Sequence, residues 1–310
     1  MHEAWWISLI KAGLVINLVM GAFAYTTWLE RKVLGRLQLR YGPNRAGPFG
    51  LLQPIADLIK LVRKEAFFPD SSHELPYIVA PVVSCFTALA AFAVIPWGAG
   101  WTIDGHYVRG AVANVPISLI LIFALGSMRT CAQLVSYEVS LALSVLGVVL
   151  MGQSLNLVDI VDKQQATLWF FLPQFVGLCV FLLGGIAETS RPPFDLPEAD
   201  TELVAGYHTE YSGMRWGLFQ TAEYINLIVL SGLAVTLFFD GWHFPWVHSL
   251  DVLGPLWFIL KLAILVTAFI WLRASQPRLR YDQLMRFGWK ILLPVATINA
   301  LVTAFLVVLI

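Results

Sequence analysis

The chain has 310 residues, 58% of them hydrophobic and 13% charged, with a formal net charge of +0 and a mean hydropathy of +0.73. Soluble globular domains carry about 25% charged residues. The composition therefore excludes a soluble enzyme and a nucleic-acid-binding module, and it indicates an all-α polytopic membrane protein in which the placement of charge carries the information. Three cysteines, Cys85, Cys131 and Cys179, stand far apart in apolar runs, which provides neither a thiolate metal site nor a disulfide framework. Redox centres would then belong to partner chains.

Crossing about 30 Å of hydrocarbon takes about 20 apolar residues. On that measure eight spans are expected, at 5–28, 77–97, 111–127, 131–151, 167–187, 217–239, 255–272 and 289–309. MHEAWWISLI has no basic leader region, and the apolar run continues to Trp28 without a cleavage signal. It reads as a first span, not a removed signal peptide. Sixteen of the 20 basic residues fall in the odd-numbered connections, which places those connections inside and both termini on the outer, periplasmic side.

The first connection has a pattern of its own. YGPNRAGP spaces glycine and proline so that no regular element can form, and it carries Arg45. GLLQPIADLIKLVRKE then puts Leu51, Ile55, Leu58 and Val62 on one helical face and Gln53, Asp57, Lys60 and Lys64 on another. That is the pattern of an amphipathic helix lying in the membrane interface. No internal repeat is visible, and residues 1–310 read as a single membrane domain.

Two kinds of acid stand out. The stretch ETSRPPFDLPEADTELVAGYHTEYSG holds six carboxylates, with Asp195, Glu198, Asp200 and Glu202 inside eight positions. The bland reading is a solvated loop; the interleaved Phe194, Leu196, Leu203, Val204, Tyr207 and Tyr211 argue for partial burial, where clustered acids titrate near neutral pH. The second kind lies within spans. Glu138 in the fourth and Glu223 in the sixth, with Lys261 in the seventh, each carry a cost of roughly 2.5 kcal/mol or more at lipid depth and are functional by default. Gln133, Tyr137 and Ser140 are candidate hydrogen-bond partners for Glu138, and Glu188 sits where the acidic loop meets the fifth span. Glu30 adds nothing to membrane anchoring and suggests an ion pair with Arg31. His208 is a weaker, titratable candidate.

ERKVLGRLQLRYGPNRAGPFGLLQPIADLIK, AQLVSYEVS, ETSRPPFDLPEADTELVAGYHTEYSGMRWGLFQTAEY and RASQPRLRYDQLM resemble the family of H-type membrane subunits of bacterial type-1 NADH:quinone oxidoreductase, respiratory complex I, whose mitochondrial counterpart is NADH dehydrogenase subunit 1. The resemblance covers nearly the whole chain. It implies an eight-helix component between the hydrophilic and membrane arms, with inner loops 30–76 and 188–216 facing a bound quinone, ubiquinone or menaquinone, and with no metal or flavin of its own. By motif, Glu30, Arg31, Arg40 and Asp57 would line the quinone tunnel. Glu138, Glu188, Glu198, Asp200, Glu202 and Glu223 would form a chain of acids for proton coupling, joined here by Lys261. The implied partners are the other membrane and hydrophilic subunits, including the one that holds the quinone headgroup and the one that holds the terminal iron–sulfur cluster. A bacterial inner membrane is the implied location.

Two departures from the family pattern are visible. Position 200 is Asp where Glu is usual, and LIFALGSMRTCAQ joins the third and fourth spans about a dozen residues early. Three other readings compete: the equivalent component of a membrane-bound hydrogenase, a secondary transporter and a passive anchor. YHTEYSG and the ERK entrance favour the quinone enzyme over the first. The two similar halves common in transporters are missing, and an anchor has no use for Glu138, Glu223 or Lys261.

Overall fold

The computed structural model describes residues 5–69, 73–103, 106–113, 116–120, 122, 131–189, 191–194, 209–244, 253–277 and 279–309. Helix α1 (Trp5–Leu37) has 33 residues and a rise of about 50 Å, longer than the ~30 Å apolar layer. Its ERKVLGRL end therefore leaves the lipid as unbroken helix. Tyr41–Gly47 forms no helix or strand, as its glycines and prolines require. A Cβ on Gly42 would lie 2.9 Å from the Arg31 carbonyl oxygen, and Gly50, at φ 79°, would place one 2.2 Å from that of Pro43. Only glycine lets the chain fold back so tightly on the end of α1. Helix α2 (Gln53–Arg63) buries none of its residues and leaves Ile55, Leu58 and Val62 exposed, as expected of an amphipathic helix.

Helix α3 (Glu74–Ala93) is followed by the main departure from an all-helical chain. Strands β1 (Gly98–Ile103) and β2 (His106–Gly110) pair antiparallel with Trp101 opposite Val108 and Ile103 opposite His106. The β-branched and aromatic residues Trp101, Thr102, Ile103, Tyr107 and Val108, set on either side of an Asp-Gly pair, carry the local signal for this hairpin.

Helices α4 (Cys131–Gly152) and α5 (Leu157–Ala166) follow, then α6 (Phe175–Glu188), α7 (Met214–Phe238) and α8 (Gly254–Ser275). The last run joins α9 (Tyr281–Phe287), a π-helical turn (Gly288–Leu292) and α10 (Leu293–Leu309). Among the described residues five helices are long and apolar enough to cross a membrane, or six if α4 and α5, bent by 59°, count as one broken span. The expected eight are thus not all present as full-length helices. The fifth, 167–187, is helical only from Phe175, and 14 residues reach about 21 Å. Pro173 disfavours helix in the residue before it, and residues just before α6 are held elsewhere, with Phe171 N donating to Phe238 O. Much of the expected third span, 111–127, lies outside the described residues.

Helix α7 is the axis of the molecule. Within its most apolar stretch 83% of residues are buried, against 17–39% in the other four long helices, so it meets neighbours on every side. Ile225, Leu233, Leu237 and Phe238 anchor the larger core with residues of α3, α4 and α5. A smaller core gathers Tyr137, Phe194, Val266, Ile270, Leu284 and Leu292.

Candidate functional site

The site begins with a buried ionic knot beside the first half of α7. Val19, Thr26 and Glu30 are buried along one side of α1, which turns the Glu30 carboxylate inward. There it accepts from Arg273 Nη1 at the end of α8 through Oε1, while Oε2 lies 3.6 Å from Arg191 Nη1. Arg191 in turn places Nε 3.3 Å from Glu223 Oε1 and its guanidinium 4.7 Å from the Tyr224 ring centroid. Glu30 is 4% exposed and Arg191 2%. Two acids and two arginines balance in charge, which is how such groups stay ionised away from water. Among the described residues Arg191 Nη1 and Nη2 have no hydrogen-bond acceptor.

The ion pair expected between Glu30 and Arg31 does not form. Adjacent residues on a helix point about 100° apart, so Glu30 faces the core while Arg31 faces α2. Arg31 Nη1 donates to Asp57 Oδ2 at 2.6 Å, and Gln53 Nε2 donates to Asp57 Oδ1 at 2.9 Å. This half-exposed pair ties α2 to the end of α1. Arg40 is exposed and bonds only locally, Nε to Gln38 Oε1 at 2.8 Å.

One helical turn further along α7 is a cavity of about 50 Å³, whose polar lining comes from Thr87, Glu138, Glu188 and Asn226 and whose apolar walls include Leu230 and Leu233. Two of the acids singled out in the sequence, Glu138 on α4 and Glu188 at the end of α6, therefore share one chamber. Glu188 is three residues before Arg191 and Asn226 three residues after Glu223, so two elements connect chamber and knot. The partner expected for Glu138 from Tyr137 is used elsewhere, since the Tyr137 hydroxyl donates to Leu284 O at 2.6 Å beside the π-helical turn.

Lys261 occupies the opposite end of α7. Its Nζ donates to Phe239 O at 2.7 Å, Gly241 O at 3.1 Å and His243 O at 2.7 Å, with the Trp169 ring centroid 5.0 Å away. An ammonium has three donors, so all are engaged at the negative end of the α7 dipole. Glu198, Asp200, Glu202 and His208 lie outside the described residues.

The connections leading into α3 and α7 are clamped together. The Tyr77 hydroxyl donates to Glu210 O at 2.6 Å, its ring stacks on Tyr211 at 4.5 Å, Ser212 Oγ donates to Glu65 O at 3.0 Å, and the Arg215 guanidinium lies 4.1 Å from the Phe68 centroid. Burial first, then the neighbouring Tyr77 and Glu210, pushes the Tyr211 phenol up from its ordinary range, so this aromatic clamp stays uncharged. Sequence reasoning missed Arg191, Arg273, Tyr224 and Asn226. The available signal was a demand for charge balance: Glu30 and Glu223, if buried, each need a cation.

A family model described as NADH dehydrogenase matches residues 10–304. The NADH-quinone oxidoreductase H subunit numbered 1 in Geobacter metallireducens is 45% identical over 98% of this chain and 97% of its own length. The chain belongs to this family. The H subunit numbered 2 in Syntrophobacter fumaroxidans is 45% identical, covering 94% of this chain and 93% of its own, and the H subunit of Rhodospirillum rubrum is 44% identical over 94% and 90%. As a member of this family, the chain is a membrane component of a multi-subunit oxidoreductase.

Proposed function

We propose that this chain is the quinone-binding and proton-coupling component of a bacterial inner-membrane NADH:quinone oxidoreductase, forming one membrane domain that joins the hydrophilic and membrane arms. The observation that carries the reading is the placement of two buried acidic sites side by side along α7: the knot of Glu30, Arg191, Arg273 and Glu223, and the chamber of Glu138 and Glu188. Inner loops 30–76 and 188–216 make the quinone-facing surface. Arg31, Asp57 and Arg40 line the approach, and Glu30 connects that surface to the knot.

Reduction of ubiquinone or menaquinone consumes two electrons, delivered by the partner with the terminal iron–sulfur cluster, and two protons. The headgroup is held by a neighbouring hydrophilic partner. Uptake of those protons changes the charge facing the knot, and Arg191, shared between Glu30 and Glu223, is placed to respond. A shift of Arg191 toward one acid leaves the other desolvated and more ready to bind a proton. Glu188 and Glu138 then extend the acidic path into the membrane, with Glu198, Asp200 and Glu202 supplying it from the loop. Lys261, with its donors fully used by carbonyls, anchors α7 in this scheme. Both termini lie on the periplasmic side.

The test is Glu138→Gln in the assembled complex, reconstituted in vesicles. Proton translocation coupled to NADH:quinone turnover is expected to fall at least tenfold at unchanged assembly. Full translocation at the wild-type rate would overturn the reading.

A further inference from the structure

Asn226 lies where the two acidic sites meet. Three residues along a helix return to the same side with a rise of about 4.5 Å, so Asn226 follows Glu223 directly out of the ionic knot and into the chamber that holds Glu138 and Glu188. It is half-buried, it lines the cavity, and among the described residues its amide has no hydrogen-bond partner. A half-buried amide that faces a cavity and has no protein partner is solvated by water. The chamber, at about 50 Å³, has room for at least one water, which needs about 10–15 Å³ of such space and two to four polar neighbours. Thr87 uses its hydroxyl hydrogen on Ser84 O at 3.1 Å and keeps its oxygen lone pairs for such a water.

We propose that Asn226 is a positioning residue that holds water between Glu223 of the knot and the Glu138–Glu188 pair, making two separate acidic sites one proton path. An amide is suited to this place because it donates through nitrogen and accepts through oxygen at once, and so orders a water whichever neighbouring acid carries the proton. It does not itself titrate, so it adds no charge to a chamber that two carboxylates already share. The apolar side chains that continue along α7, Leu230 and Leu233, close the chamber beyond it and keep the water on the acidic side. The inference rests on the proton-coupling reading above and adds to it the one neutral group that the path needs.

The experiment uses the assembled complex in vesicles and compares Asn226→Leu, which keeps the branched shape without polarity, with Asn226→Ser, which keeps a donor and acceptor and leaves room for a further water. Asn226→Leu is expected to lower proton-coupled quinone reduction at least tenfold and to shift its pH profile, while transfer from NADH to a water-soluble acceptor that bypasses quinone is unchanged. Asn226→Ser is expected to stay within about threefold of wild type, with the wild-type pH profile. If the leucine variant fails to assemble, Asn226→Val is read in its place. Wild-type coupling in the apolar variant overturns the proposal, and so does an equal loss in the serine variant, which would mark a packing role. Glu138→Gln separates the two levels: coupling retained there sinks the proton reading itself, whereas coupling lost there but kept in Asn226→Leu sinks only the role of Asn226.

Discussion

Two buried cations stand against α7, one beside its middle and one at its C-terminal end, and they are balanced differently. Beside the middle of the helix Arg191 is balanced by the side-chain carboxylates of Glu30 and Glu223. At the C-terminal end Lys261 donates to the backbone carbonyls of Phe239, Gly241 and His243, with the buried Asp240 carboxylate acting on it as well. Both arrangements keep a charge out of water, but one is held by side chains and the other by fixed backbone. A backbone-held ammonium fixes a helix end, while an arginine shared between two acids can be pulled toward either. The contrast sets a side-chain network beside the middle of α7 against a backbone-held cation at its end.

The comparison is broken most severely by Arg191→Met, which leaves two desolvated acids without their shared cation. Removing one member of a buried ionic group costs about 3–5 kcal/mol, so assembled complex on native gels is expected to fall sharply. Adding Glu223→Gln to Arg191→Met restores part of it, because one uncompensated charge is removed. Lys261→Met comes next. It strips the donors from three carbonyls, at about 2–3 kcal/mol, and lowers the thermal midpoint of the complex, yet protons moved per electron in what assembles stay unchanged. A loss of that stoichiometry would move Lys261 from anchor to relay. Smaller still, Tyr77→Phe removes the bond to Glu210 O and keeps the ring stack, for about 1 kcal/mol, read as faster proteolysis between residues 65 and 77. Asp57→Asn should have the least effect on stability, below about 1 kcal/mol, because Arg31 and Asp57 are half-exposed and solvent-screened. Its effect should appear as a raised KM for quinone, shrinking as ionic strength rises.

Much of the site is legible in the sequence as a set of acids but not as an arrangement. Glu138 and Glu188 stand out because carboxylates in apolar runs are costly, and the structure brings both to one chamber. Glu30 stands out because an acid at a span end adds nothing to anchoring, but its partner does not: Arg273 lies 243 positions away in the chain, and proximity in sequence favours Arg31. Arg191 reads as one more inner basic residue, because nothing local distinguishes a solvated arginine from a buried one. The hairpin at Gly98–Gly110 is hidden among long apolar runs, although its β-branched and aromatic pairs are in view.

Membrane residence, the amphipathic α2 and the irregular turn before it were determined by the sequence alone, because transfer of side chains from water, helical periodicity and the backbone limits of glycine and proline are local properties. Which charges neutralise one another, where the chamber opens and which carbonyls hold Lys261 were decided only by the tertiary structure. Those outcomes depend on how α1, α4, α6 and α8 surround α7, and the balance between desolvation and pairing is set by distances between residues far apart in the chain.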